Sequence, residues 1–199
     1  GFNRARRTQG LHARPPASAF KPLVYLAALE NGMDPETAID ASPISIDIPG
    51  SKPYQPANDG DRVYGTVALR DGLVHSINTA AVRLLHERVG FDKLFDVARR
   101  LGLDTSSFAR QWGLALGQSG VPLVEMATAY SVFANGGYHV SPYAFLAITT
   151  EGGKTVWSRP RSRIRRVFAR QDVANLNAML VDVVSKGTGH LARRKVDAR

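Results

Sequence analysis

The sequence predicts an α+β fold: a large helical body, one short β-hairpin, and a final helix near the C-terminal end. Three observations carry this reading. Apolar residues recur at helical spacing in several segments between residues 22 and 186. A glycine stands just beyond each of the stronger ones, at Gly32, Gly90, Gly102, Gly136 and Gly187, where a helix ends most easily. The period changes once, where two strand-like stretches flank Glu151-Gly152-Gly153. No repeat and no composition break divides the chain, so residues 1–199 read as one domain.

The first helix candidate is Pro22–Asn31. It is apolar nearly all round, as a fully buried helix is. Residues 33–65 are rich in Pro, Asp, Asn, Ser and Gly and read as a long irregular segment with a short strand at Ile44–Ile48. A run of that length without regular structure is uncommon unless it serves a site. Val67–Leu73 is a short helix candidate. Thr79–Val89 and Phe91–Leu101 are longer ones, and Pro122–Ala134 starts with proline in its first turn. Tyr143–Thr150 and Lys154–Ser158 form the hairpin, Ile164–Phe168 is a further strand candidate, and Gln171–Lys186 is the last helix. Val173, Leu176, Met179, Leu180, Val183 and Val184 are expected on its inner side.

Composition narrows the class. A hydrophobic share of 44% supports a real core, and with no cysteine there is neither a disulfide framework nor a thiolate metal site. The longest apolar run, Pro22–Leu29, is far short of the roughly twenty residues of a membrane span. The net charge of +9 is concentrated in three basic segments, within residues 1–14, 154–170 and 186–199, around a mildly acidic body. Those segments lack the interleaved aromatic residues of a nucleic-acid stacking surface, so no nucleic-acid partner is expected. They suit solvated faces near an anionic polymer or membrane surface.

Two short motifs carry possible chemistry. Ser18 and Lys21, in "ASAFKP", are three residues apart and share a helix face. A serine hydroxyl is a weak nucleophile that needs a base, and a lysine made neutral by burial can be one. Starting the helix at Ser18 puts Pro22 at the end of its first turn, where a missing N–H costs little. The plain alternative is that Ser18 is only a helix cap. Ser76-Ile77-Asn78 offers a serine and an amide just before a helix, and capping is again the plain alternative. The five histidines show no metal-ligand spacing, Trp112 and Trp157 are expected in packing, and Glu125 is expected in a solvated or capping role.

Taken together and in order, the segments "FNRA", "SAFKPLVYLAALENG", "YQPAN", "VALRDGLVHSINTAAVRL", "LALGQSGVPLVEMATAYSVFANGG" and "MLVDVVSKGTG" resemble the transpeptidase domain of class A penicillin-binding proteins over nearly the whole chain. The resemblance implies the sandwich of helices and sheet that this family shares with serine β-lactamases. It implies Ser18 as nucleophile, Lys21 as base, Ser76 as proton relay and Asn78 as a substrate contact. It implies no metal or organic cofactor. The implied substrates are peptidoglycan stem peptides, cross-linked through an acyl-enzyme, with β-lactams as mimics. The implied location is the extracytoplasmic (periplasmic) face of the bacterial plasma membrane, anchored through upstream parts and beside other cell-wall synthesis proteins.

The chain also departs from the family pattern. The Lys-Thr/Ser-Gly motif is absent: Lys154-Thr155 runs into Val156, and Lys186-Gly187-Thr188-Gly189 has the wrong order. That motif would supply a carboxylate-binding lysine and one oxyanion donor, and losing one such donor typically costs about a hundredfold in rate. The expectation is therefore a domain incomplete at both ends, lacking the glycosyltransferase domain and the third-motif strands, with an unfinished sheet and weak or no activity alone. The residue before the nucleophile is Ala17 where the family usually has glycine. A non-catalytic scaffold that binds peptidoglycan or a synthesis partner is the alternative. A β-lactamase is a distant one, because its second motif reads Ser-Asp-Asn and here the middle residue is Ile77.

Overall fold

The structure is a computed structural model that describes residues 13–160 and 165–192. "FNRA", His12, residues 161–164 with the start of the Ile164–Phe168 strand candidate, and the basic residues from Arg193 onward lie outside the described part.

The centre of the fold is helix α1, Lys21–Glu30, preceded by a 3-10 turn, Ala17–Phe20. Every residue from Lys21 through Leu29 is buried, as the all-round apolar pattern predicts. Full burial of side chains such as Phe20, Leu23 and Leu26 stabilises the fold by about 1.5–3 kcal/mol each. The α-helix begins at Lys21, not at Ser18. Pro22 is thus its second residue, where no intrahelical N–H bond is lost. Lys21 nevertheless holds helical angles, φ −52° and ψ −40°, in the region a residue before proline disfavours. Gly32, at φ +84°, ends the turn after Asn31.

Strand β1, Ala38–Asp40, pairs antiparallel with β2, Thr66–Ala68, through Ile39 opposite Val67. This corrects two expectations. The segment 33–65 contains a strand other than Ile44–Ile48, which is reduced to a single bridge between Ile46 and Tyr54. Val67 and Ala68 belong to β2, and helix α2 is only Leu69–Val74. Helix α3, Asn78–Arg83, widens into a π-helical stretch, Leu84–Val89, with Leu84, Leu85 and Val89 all buried. Gly90, at φ +74°, marks the joint with α4, Gly90–Arg100. A 3-10 turn, Trp112–Leu116, was not legible from the pattern. Its Trp112 ring packs on Phe91 and His86, with centroids 4.7 and 4.8 Å away. Helix α5, Leu123–Ala134, has Pro122 as its cap. Helices α2, α3, α4 and the last helix all pack against α1.

The hairpin is β3, Ala147–Thr149, with β4, Thr155–Ser158, where Ile148 faces Trp157. All residues of both strands are exposed, including Trp157, which therefore does not pack in the core as expected. The further strand candidate survives, within the described residues, as one bridge between Tyr138 and Arg166. The last helix, α6, is Arg170–Ser185. Val173, Leu176 and Met179 are buried, and Leu180 and Val183 partly so, but Val184 is exposed and leaves the predicted inner face. The class is thus α+β, with a helical body and, among the described residues, two separate two-stranded sheets. None of the described helices is long and apolar enough to cross a membrane.

Among the described residues, a core hydroxyl is left unsatisfied. The Tyr25 hydroxyl is fully buried without a hydrogen-bond partner, and a Cβ on Gly72 would lie 2.6 Å from it. An unmet buried hydroxyl costs about 1–3 kcal/mol. Tyr25→Phe keeps the ring and removes that cost. It is expected to leave the urea midpoint unchanged or raise stability by about 1 kcal/mol; a clear loss would show that the hydroxyl has an unseen partner.

Candidate active site

The four residues singled out by sequence come together where the turn before α1 meets the turn between α2 and α3. Ser18 is exposed at the mouth, and Lys21 is 1% exposed beneath it. In a 3-10 turn residues i and i+3 eclipse, which sets both side chains on one side. Lys21 makes its hydrogen bonds to Ser76 and Asn78 rather than to Ser18. Its Nζ donates to the Ser76 carbonyl at 2.5 Å, to Ser76 Oγ at 2.9 Å and to Asn78 Oδ1 at 2.7 Å. Ser76 Oγ in turn donates to Ser18 Oγ at 3.0 Å. The three acceptors match the three donors of an ammonium. Burial works against that charge and lowers the Lys21 pKa from 10.5 to about 8.

Ser76 owes its position to how α2 ends. The Ser76 N–H bonds to the Leu73 carbonyl at 3.0 Å and the Ile77 N–H to the Gly72 carbonyl at 2.9 Å. This is the Schellman pattern, with Ser76 at the left-handed position that glycine normally fills. Its φ is +53°. A side chain there costs about 1–2 kcal/mol, and here it places a hydroxyl between Ser18 and Lys21.

Asn78 is held at both ends of its amide. Oδ1 accepts from Lys21, and Nδ2 donates to the Ala57 carbonyl at 2.7 Å. Asn58 Oδ1 accepts from the N–H groups of Asn78 and Thr79, at 2.8 and 3.1 Å, and so caps α3 from another segment. Asn58, the last residue of "YQPAN", shows no such role in the sequence around it. Capping rules look within a helix's own approach, and this cap comes from twenty residues upstream. Gly117 was missed likewise. Its carbonyl accepts from the Ala17 N–H at 3.3 Å, and a Cβ there would lie 2.3 Å from the Ala17 carbonyl oxygen. The Ser18 turn is further pinned by the Arg14–Val121 bridge and by the Tyr130 hydroxyl, which donates to the Ala19 carbonyl at 3.0 Å. Glu125, expected in a solvated or capping role, ties down a loop instead: its Oε2 accepts from the Asp104 N–H at 2.9 Å, where no helix begins. His75 is exposed at the end of α2.

An apolar groove of about 500 Å³ flanks the turn, lined by Pro16, Ala19, Val121, Met126 and Tyr130 among others. It includes none of Ser18, Lys21, Ser76 and Asn78.

A family model of the penicillin-binding protein transpeptidase domain matches residues 12–198. Penicillin-binding protein 1A of Aquifex aeolicus is 40% identical over 200 residues, spanning 96% of this chain and 25% of that protein. The crystal structure of penicillin-binding protein 1A from Haemophilus influenzae superposes with a TM-score of 0.81 at 29% identity, over 92% of this chain and 31% of that one. Penicillin-binding protein A from Mycobacterium tuberculosis, solved as an imipenem acyl-enzyme, gives 0.75 at 28% identity, over 87% and 44%. The chain thus spans a quarter to under a half of these proteins' lengths.

Asn58→Ala is expected to destabilise the protein by about 1–2 kcal/mol, the worth of a helix cap, read as a lower urea midpoint. Ala17, at φ +49°, is strained beside Ser18. Ala17→Gly is expected to raise stability by about 1 kcal/mol in the same measurement.

Proposed function

The chain belongs to the penicillin-binding protein transpeptidase family, and from that premise we propose that it carries the acylation centre of a serine-type D-Ala-D-Ala transpeptidase. The observation that carries the proposal is the continuous chain from Ser18 Oγ through Ser76 Oγ to a buried Lys21 whose pKa lies near 8. With Lys21 protonated, the hydrogen bonds run outward, from lysine to Ser76 to Ser18. With Lys21 neutral, they reverse. Ser18 then donates to Ser76 and Ser76 to the amine, which leaves Ser18 Oγ as an activated nucleophile.

Ser18 attacks the penultimate D-Ala carbonyl of a stem peptide. As the tetrahedral intermediate collapses, the peptide C–N bond breaks and the Ser18 ester forms. The leaving D-Ala amine takes the proton back along the same path. An amine of a neighbouring stem peptide then attacks the ester. A peptide bond forms, the Ser18 C–O bond breaks, and the proton returns to Ser18. A β-lactam enters by the first step, opening its ring amide on Ser18. Asn78, fixed by Lys21 and Ala57, keeps one amide N–H for a substrate carbonyl. The site of action is the outer face of the plasma membrane, where stem peptides are cross-linked.

The 199 residues contain no Lys-Thr-Gly or Lys-Ser-Gly triad, so its cation and oxyanion donor are not supplied from this sequence. The test is accordingly made on the natural polypeptide that carries this sequence. Fluorescent penicillin is expected to label it covalently, and Ser18→Ala to abolish the label. The acylation rate is expected to rise with pH as the amine loses its proton, and to level off above about 8. Equal labelling of Ser18→Ala, or a rate flat from pH 6 to 9, would sink the proposal.

A further inference from the structure

The Lys186-Gly187-Thr188-Gly189 segment after α6 has no part in the chemistry above, yet it lies against the end of α2 that carries Ser76. The Thr188 N–H donates to the Val74 carbonyl at 3.2 Å. Gly187 is buried there, and a Cβ on it would lie 2.3 Å from that carbonyl oxygen and 2.9 Å from Val74 Cγ1. The position needs glycine for space, since Gly187 is not among the residues with positive φ. The segment is itself held firmly. The Gly187 N–H bonds to the Asp182 carbonyl at 3.0 Å and the Gly189 N–H to the Val183 carbonyl at 3.0 Å. The Gly187 carbonyl accepts from the His190 N–H at 3.2 Å and lies 3.0 Å from His190 Nδ1. Arg70, on α2, also faces Asp182, on α6, at 3.7 Å.

Val74 is the last residue of α2, and Ser76 follows it by two, in a left-handed conformation with both serine oxygens bound to Lys21. The backbone at Val74 therefore sets the depth at which Ser76 Oγ stands. We propose that Gly187 and the Thr188 N–H are a positioning device for Ser76: pressed onto the Val74 carbonyl, they fix the relay hydroxyl between Ser18 and Lys21. This rests on the reading that Ser18 is acylated through Ser76. Gly187 touches no reacting atom. It acts through Val74, so disturbing it should slow the bond-forming step and leave the initial encounter with penicillin unchanged. A displacement of about 1 Å at a reacting group can cost a hundredfold.

The experiment follows penicillin acylation of the natural polypeptide by stopped flow, separating the affinity of the pre-covalent complex from the acylation rate constant. Gly187→Ala adds the clashing Cβ. Gly189→Ala adds a methyl in the same turn, against Val183 and away from Val74. Gly187→Ala is expected to lower the acylation rate constant at least about tenfold with pre-covalent affinity kept within about twofold. Gly189→Ala is expected to stay within about threefold of the parent. The proposal is overturned if folded Gly187→Ala acylates at the parent rate, if both variants slow alike, or if affinity falls as much as rate. Should Gly187→Ala not fold, Thr188→Pro removes the donor to the same carbonyl without adding bulk at 187. It is expected to slow acylation in the same way, and parent rates in it would overturn the proposal too. A parent protein that takes no label at all would refute the transpeptidase reading, a separate outcome.

Discussion

The buried ammonium of Lys21 is the constraint around which the rest is arranged. Taking a charged amine out of water costs several kcal/mol unless partners replace the water. None of the observed partners comes from α1 itself. All three observed partners come from Ser76 and Asn78, more than fifty residues along the chain. The turn between α2 and α3 must therefore lie over the start of α1. Asn78 is then held by Ala57 and its backbone by Asn58, which draws the irregular segment 33–65 onto the same spot. That segment has little regular structure because its work is to deliver two polar groups to one place.

The far end of α1 faces the opposite electrostatic problem. Glu30 is a carboxylate at a helix C-terminus, where the dipole disfavours negative charge. Burial would raise its pKa, but hydrogen bonds from Arg100 and Lys93 outweigh burial and hold it below the usual range. Arg100 also reaches the Val167 carbonyl at 2.8 Å and lies over the Phe168 ring at 4.3 Å. So α1 is fixed by a cation at its start and by a carboxylate clamp at its end. The clamp ties it to α4 and to the stretch before α6. A helix pinned at both ends cannot slide, and a 3.0 Å contact between Ser18 and Ser76 depends on that.

What the sequence made legible follows the range of the forces involved. Helices closed by glycine were readable because periodicity and stop lie within a dozen residues, as at Gly32, Gly90 and Gly102. The pairing of Ala38–Asp40 with Thr66–Ala68 was not, because each strand is three residues long and the partner lies beyond a loop. Val67-Ala68-Leu69 even read as the start of a helix, since apolar residues in a row suit either period. Of the site, the four side chains with nucleophile, base, relay or amide chemistry were visible as two spaced pairs. The link between the pairs was not, and neither were Asn58, Gly117 and Gly187, whose contribution is a cap or a missing methyl. Those roles exist only relative to backbone brought from elsewhere in the chain.

Two non-glycine residues stand in the left-handed region on either side of the Ser18–Ser76 contact, and their cases differ. At Ser76 the strain has a chemical counterpart, because glycine would remove the hydroxyl that joins Ser18 to Lys21. At Ala17 it has none. The methyl carries no function, and Gly117 must lack a side chain so that the Ala17 backbone can approach it. Strain beside Ser18 is thus not by itself a mark of function here. What separates the two residues is whether the group attached to the strained backbone belongs to the hydrogen-bonded chain between Ser18 and Lys21, and only the Ser76 hydroxyl does.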